Sequence, residues 1–171
     1  MRIYLVGFMG SGKTTVGEAL ARRLRYDFRD LDTLIEEREG RSVREIFAAS
    51  GEAAFRQMER QALRESVAQS RLVMATGGGA FCQEGNRRWI GRHGLSIWLD
   101  PPFSEIVDRL ESSGRASRPL FADVAAAKML YERRQPMYAK ADVRQTLRGG
   151  ESMEWIIESI LSMLRERQCE L

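Results

Sequence analysis

The chain has 171 residues, of which 43% are hydrophobic and 30% are charged, so it can form one globular domain with a sizeable core. The net charge of +3 comes without a block of lysines or arginines, which argues against a nucleic-acid-binding surface. No apolar run approaches the length of a membrane span, and we expect no signal peptide, because the first strand pattern starts at residue 2. Two distant cysteines, Cys82 and Cys169, indicate a reducing compartment, so we expect a cytoplasmic protein without a disulfide framework.

A phosphate-binding loop lies near the start of the chain. Residues 7–14 read G-x-x-x-x-G-K-T, follow a β-prone apolar run at 2–6 and precede a helical pattern that extends to about residue 25. Glycines let backbone N–H groups approach phosphate oxygens, Lys13 can reach the β- and γ-phosphates, and the Thr14 hydroxyl can hold Mg²⁺. The candidate ATP-binding residues here are Gly10, Ser11, Gly12, Lys13, Thr14 and Thr15.

The next stretch combines two carboxylates with short helical patterns. Asp30 and Asp32 form a D-x-D pair just past a possible short strand, near the end of one extended segment. A helix then follows and is stopped by Gly40. The capping box at 42–45 opens a short helix that Gly51 breaks.

A helix predicted over about 52–68 carries two charges on its apolar side. Arg56 and Glu59 are three residues apart and can pair with each other. Such a pair has either a structural role or the role of an anion clamp, in which glutamate fixes the arginine. The expected apolar side consists of Phe55, Met58, Ala62, Leu63 and Val67, and the opposite side of Gln57, Arg60, Gln61, Arg64 and Glu65.

A buried strand predicted at 71–76 runs directly into three glycines at 77–79. Three glycines at the carboxyl end of a strand allow a ligand to approach the backbone closely, at the edge where α/β sheets bind ligands. A helix at 85–92 and a strand at 95–99 follow, and His93 falls in a predicted turn without an assigned role.

The second half of the chain continues the alternation of predicted strands and helices. Helices are expected at 103–112 and 123–135, a strand at 142–147, and a C-terminal helix after Gly149-Gly150. The small, basic segment between the two helices is either a solvated loop or a lid over phosphates. The pattern predicts a three-layer α/β/α fold with a mostly parallel sheet, and no His/Cys cluster has metal-ligand spacing.

The P-loop alone is compatible with several classes of protein. Switch GTPases carry N-K-x-D and D-x-x-G signatures, which this sequence lacks, and motor ATPases are usually larger. A small kinase remains, and other motifs indicate which one. In order and spacing, and over essentially the whole chain, they resemble those of the shikimate kinases. The matching motifs are Gly7–Thr14, Asp30-x-Asp32, Phe55-Arg56-x-x-Glu59, Gly77-Gly78-Gly79, Arg118-Pro119-Leu120 and Arg134-x-Pro136-x-Tyr138.

This resemblance implies transfer of the ATP γ-phosphate to the 3-hydroxyl of shikimate, on the route to chorismate and aromatic amino acids. It also implies a P-loop fold of the nucleoside monophosphate kinase type with five parallel strands. A single domain would span 1–171, with a substrate-binding segment at about 31–62 and a mobile lid at about 112–122. We expect a monomer that binds shikimate and ATP with Mg²⁺, and neither nucleic acid nor membrane.

The resemblance also implies roles for individual residues. Asp32 would contact the shikimate hydroxyls and is the candidate base. Asp30 would help to hold Mg²⁺ through water, beside Thr14. Lys13 and Arg118 would stabilise the transferring phosphoryl group, with Arg118 also part of the ATP site. The implied ligands of the shikimate carboxylate are Arg56 and Arg134, with the backbone N–H groups of Gly78 and Gly79.

Some alternatives stay open at this point. The arginine that contacts adenine is either Arg109 or Arg115. A gluconate kinase or another hydroxy-acid kinase is the nearest alternative, although D-x-D with F-R-x-x-E and G-G-G distinguishes the shikimate kinases from it. A catalytically silent binding module is the second alternative, and the presence of Lys13, Asp32 and Arg118 argues against it.

Overall fold

The computed structural model describes residues 1–112 and 123–169. The predicted lid, with Arg115 and Arg118, therefore lies almost entirely outside the described residues. Within the described ranges, five parallel strands form one sheet in the order β2-β3-β1-β4-β5, which confirms the predicted architecture. The strands are β1 (Arg2–Val6), β2 (Asp27–Asp30), β3 (Leu72–Ala75), β4 (Leu95–Asp100) and β5 (Val143–Thr146).

Helices cover both faces of this sheet. Alternate residues of β1 point to opposite faces, so Ile3 and Leu5 pack into one core while Tyr4 and Val6 pack into the other. The first core is closed by α1 and α7, and the second by α2 to α6. The helices are α1 (Lys13–Leu24), α2 (Leu31–Glu39), α3 (Val43–Glu65), α4 (Glu84–His93), α5 (Phe103–Ser112), α6 (Val124–Tyr138) and α7 (Met153–Cys169).

The predicted helix signals around α2 and α3 are present. Gly40 ends α2 in the left-handed conformation, with φ of 63°. The capping box between Ser42 and Glu45 is complete. Gly51 has φ of 76° and ψ of 172°, so α3 is two helical stretches joined at a kink. Beyond the kink, the predicted outer side of α3 is exposed and the apolar side is buried or half-buried.

Two predictions about the ends of helices are wrong. The helix expected at 123–135 continues through Pro136 to Tyr138. A proline in the last turn removes only the bond to the carbonyl four residues earlier, and Ala139 still donates to Gln135 O at 2.9 Å. His93 is the last residue of α4 rather than part of a turn. Its ring stacks on Trp89, and Nδ1 lies 2.7 Å from Trp89 O.

Candidate functional site

The P-loop connects β1 to α1 and wraps around the start of that helix. Gly7 has φ of 139°, and a Cβ at this position would lie 2.6 Å from Leu99 O, so only glycine fits there. Lys13 is buried, and its Nζ donates to Gly7 O at 3.0 Å and Phe8 O at 2.8 Å. The ammonium group is therefore held across the loop, at the N-terminus of α1, where the helix dipole also favours an anion.

Asp30 links the end of β2 to the residues of the P-loop. Thr14 Oγ1 donates to Asp30 Oδ2 at 2.8 Å, while Asp30 Oδ1 accepts from the backbone N–H of Asp32 at 3.0 Å. Asp30 is the last residue of β2 and the N-cap of α2, and Asp32 lies in the first turn of that helix. The expectation that both aspartates lie in one extended segment is therefore wrong, because the cap bond starts the helix between them.

Two carboxylates converge on the first glycine of the 77–79 run. A Cβ at Gly77 would lie 2.7 Å from Asp32 Oδ1 and 2.9 Å from Glu59 Oε1. Glu59 has no exposed surface. Burial raises the pKa of Glu59 above its ordinary value, Arg56 opposes this shift, and the nearby charge of Asp32 adds to it.

Arg56 lies between two glutamates and covers the last glycine of the same run. Its Nη1 donates to Glu59 Oε2 at 2.5 Å and its Nη2 donates to Glu52 Oε1 at 3.0 Å. A Cβ at Gly79 would lie 2.5 Å from Nη2 of Arg56. The pairing of Arg56 with Glu59, expected from their spacing, is thus present at the ligand-binding edge of the sheet.

Arg134 approaches the glycine run from α6. Its Nη1 lies 3.4 Å from the position that a Cβ of Gly78 would occupy. Its guanidinium carbon lies 5.8 Å from the centre of the Phe8 ring in the P-loop. Two arginines from different helices therefore flank Gly78 and Gly79, beside the carboxylates of Asp32 and Glu59.

Sequence reasoning left the adenine contact open and missed one contact of the glycine run. Nη1 of Arg109 lies 3.6 Å from the Cβ position of Gly12, whereas Arg115 is outside the described ranges. Tyr138 OH donates to Gly78 O at 2.5 Å. Tyr138 stood in the R-x-P-x-Y motif, one helical turn after Arg134, but nothing local in the sequence indicated its partner sixty residues away.

The fold and the site define a P-loop kinase of the nucleoside monophosphate kinase type. The sheet order places the phosphate loop at its centre, and acidic and basic side chains share the same edge. The family model for shikimate kinase matches residues 9–165. The chain belongs to the shikimate kinase family.

Individual relatives agree with this assignment. A curated shikimate kinase of Synechococcus elongatus is 46% identical over 165 residues, covering 95% of this chain and 85% of the relative. The structure of a Bacteroides thetaiotaomicron shikimate kinase has a TM-score of 0.86 and 36% identity, covering 100% and 99% of the two chains. An Acinetobacter baumannii shikimate kinase in complex with shikimate has a TM-score of 0.87 and 33% identity, covering 97% and 93%.

The comparisons also bear on the gluconate alternative. A solved gluconokinase of Sinorhizobium meliloti is 17% identical with a TM-score of 0.63, covering 96% and 91% of the two chains. That likeness concerns the fold alone.

No helix within 1–112 and 123–169 is both long and apolar enough to cross a membrane.

Proposed function

We propose that the protein transfers the γ-phosphoryl group of ATP to the 3-hydroxyl of shikimate. The products are shikimate 3-phosphate and ADP, on the route to chorismate and the aromatic amino acids. The observation that carries this proposal is the pair Arg56 and Arg134 flanking a glycine run, beside Asp32 and next to a P-loop. Shikimate is a small polyol with one carboxylate, and it therefore requires cationic groups on one side and a hydrogen-bond acceptor on the other.

The acceptor would be held by its carboxylate. Guanidinium groups form charge-assisted, often bidentate bonds with carboxylates, and Arg56 and Arg134 supply two of them. Gly78 and Gly79, which have no side chains of their own, would add backbone N–H groups. Asp32 would then accept a hydrogen bond from the reacting hydroxyl, as an orienting group or as the base.

The nucleotide would be held by the loop at 10–15. Lys13 would exchange its two carbonyl partners for phosphate oxygens, and the equatorial oxygens carry the charge that a cation stabilises in the transition state. Arg109 lies beside Gly12 of the P-loop, and the assignment of the adenine contact to Arg109 or Arg115 stays a prediction from sequence. The role of Arg118 in phosphoryl transfer stays a prediction from sequence.

The residues present fit a magnesium ion. Mg²⁺ prefers oxygen ligands and retains several waters, so one hydroxyl and one carboxylate beside the phosphates are sufficient. Thr14 Oγ1 and Asp30 Oδ2 lie 2.8 Å apart. Both residues would hold the ion, Asp30 through a water molecule. The ion would neutralise charge on the β- and γ-phosphates.

We also propose that the enzyme works in the cytoplasm as a monomer, without nucleic acid or membrane partners. The large exposed apolar side chains of the described residues are spread over the N-terminus, α3, α6 and α7: they are Met1, Phe47, Val124, Met129, Met153 and Trp155. Scattered apolar residues are normal on a monomer. Light scattering after gel filtration tests the oligomeric state, and a dimer mass would contradict this part of the proposal.

One assay tests the activity. ADP release from ATP should be fast with shikimate and absent above background with gluconate or other hydroxy acids at the same concentration. Omission of Mg²⁺ should abolish turnover. Activity with gluconate but not shikimate would favour the alternative kinase, and no acceptor-dependent release would favour a silent binding module.

A further inference from the structure

The second glycine of the run is fixed by two side chains. Tyr138 has no exposed surface, and its hydroxyl donates to Gly78 O at 2.5 Å. Cys82 Sγ lies 3.9 Å from the same oxygen as a weaker, second donor. Burial raises the pKa of the Tyr138 phenol, so the hydroxyl keeps its proton and remains a donor.

Each carbonyl of the run accepts a hydrogen bond, whereas the N–H of Gly79 donates none to another backbone group of the described residues. Gly77 O accepts from Ala80 N at 3.0 Å and Gly79 O accepts from Cys82 N at 3.1 Å. Within the described residues, the Gly79 N–H takes no part in the hydrogen bonds between backbone groups. It is therefore a donor that a ligand can use without breaking a bond of the fold.

Fixing the oxygen of Gly78 also fixes this donor. The C=O of Gly78 and the N–H of Gly79 belong to one planar peptide unit, and no cis bond occurs in the described chain. In a trans unit the two groups point in opposite directions, so the N–H points away from Tyr138. Glycines on either side give the unit no steric restraint of their own, because they tolerate most backbone angles.

The same helix supplies a cation to this site. Tyr138 follows Arg134 by one turn of α6, so the two side chains lie on the same face of that helix. Arg134 approaches the Cβ position of Gly78 while Tyr138 holds the oxygen of the same residue. One helix therefore brings both the Arg134 guanidinium and the hydroxyl that holds Gly78 O to the glycine run.

We propose that Tyr138 is a positioning residue, which turns the Gly78–Gly79 peptide so that the Gly79 N–H joins Arg56 and Arg134 in binding the acceptor's carboxylate. This inference rests on the proposed function. It assigns the tyrosine no contact with substrate. It requires that loss of the hydroxyl weakens binding of the shikimate carboxylate and leaves binding of ATP unchanged.

The test compares two tyrosines of α6. Tyr131 OH also donates to a backbone carbonyl, Pro101 O at 3.1 Å, and that carbonyl is outside the glycine run. Tyr138→Phe should raise the KM for shikimate about 3- to 10-fold, the range that loss of one hydrogen bond allows. Its KM for ATP should equal that of wild type within the error of the measurement, and Tyr131→Phe should leave both constants unchanged within the same error.

A substrate analogue separates positioning from general damage. In the analogue, a hydroxymethyl group replaces the carboxylate of shikimate, so kcat/KM is low for every enzyme. Tyr138→Phe and wild type should show the same kcat/KM with it, because the oriented donor has lost its anionic partner. An equal loss on both substrates, or an unchanged KM for shikimate, would overturn the inference.

Cys82→Ala is a second variant if Tyr138→Phe folds poorly. It removes the weaker donor to Gly78 O and should raise the KM for shikimate by about twofold, again with no effect on the analogue. An unchanged KM would count against the inference. Failure of the proposed function looks different, because wild type itself would then not phosphorylate shikimate.

Discussion

Glu59 binds Arg56 through one carboxylate oxygen, at 2.5 Å, and keeps its other oxygen buried against Gly77. That second oxygen, Oε1, has no hydrogen-bond partner among the described residues. A buried carboxylate that is only half satisfied is costly, so this glutamate orders the arginine at the expense of folding stability.

Glu59 should make stability depend on pH with an unusual sign. Its pKa is raised by burial above 4.5, so its contribution to stability is full below pH 4.5 and is lost as the pH rises through the raised pKa. Urea unfolding measures this effect. As the pH rises above 4.5, the free energy of unfolding of wild type should fall relative to that of Glu59→Gln.

A second glutamate of α3 gives the control. Hydrogen bonds from Arg38, with a smaller contribution from Gln61, lower the pKa of exposed Glu65 below 4.5. Its contribution is present above pH 4.5 and is lost as the pH falls. Glu65→Gln should therefore differ from wild type mainly at neutral pH, by a small amount. Parallel pH curves for the two variants would contradict this prediction.

Arg56→Ala should weaken shikimate binding selectively. Removing one partner of a desolvated charge pair costs about 2–5 kcal/mol of binding free energy. The affinity for ATP should be unaffected. Calorimetric titration with each ligand measures the two effects. Arg60→Ala is the matched control, because Arg60 lies on the exposed side of the same helix. Equal losses of ATP and shikimate binding in Arg56→Ala would indicate a structural role, with Glu59 left unpaired.

Substitutions at Asp30 and Asp32 should have different consequences. Asp30→Asn retains an oxygen that can cap α2 but loses the charge beside Thr14, so stability should hold while the Mg²⁺ requirement rises. Asp30→Ala should also lose about 1 kcal/mol of stability with the cap. Asp32→Asn should lower kcat strongly and leave the Mg²⁺ titration unchanged. Identical Mg²⁺ titrations for the two Asn variants would refute this division of roles.

Ser11→Ala should stabilise the protein. The Ser11 side chain is fully buried, and its Oγ has no hydrogen-bond partner among the described residues. Removing an unsatisfied buried hydroxyl should add roughly 1 kcal/mol, or about 2–4 °C in Tm for a chain of this size. Ser66→Ala should have the opposite effect, since Ser66 Oγ donates to Leu63 O at 2.6 Å. A lower Tm for Ser11→Ala would be evidence against the prediction.

Gly79→Ala should disturb the arginine rather than the backbone. Gly79 has φ of −95°, which alanine adopts readily, but its Cβ would lie 2.5 Å from Nη2 of Arg56. The guanidinium must shift, so the KM for shikimate should rise at least several-fold while Tm changes little. At Gly85, in the first turn of α4, a Cβ would meet nothing within 4 Å, so alanine should leave the KM unchanged and raise Tm slightly, since alanine is the better helix former. Unchanged kinetics in Gly79→Ala would mean that the arginine does not act from this position.

The parts predicted from sequence are those fixed by local rules. Helical spacing predicted the two sides of α3 and the pairing of Arg56 with Glu59, because both depend on residues three or four apart. The double role of Asp30 could not be predicted locally, because only the sheet, with β3 between β2 and β1, brings the end of β2 to Thr14. The bond from Tyr138 to Gly78 spans sixty residues, and no local propensity encodes such a contact.

The central strand of the sheet is also the first one to be synthesised. β1 pairs with β3, which begins at Leu72, and with β4, which begins at Leu95. While the ribosome makes the intervening residues, the apolar strand has neither neighbour, and contacts this distant in sequence form slowly. A nascent chain that ends before β4 should therefore still expose one edge of β1 to chaperones, with the phosphate loop not yet formed.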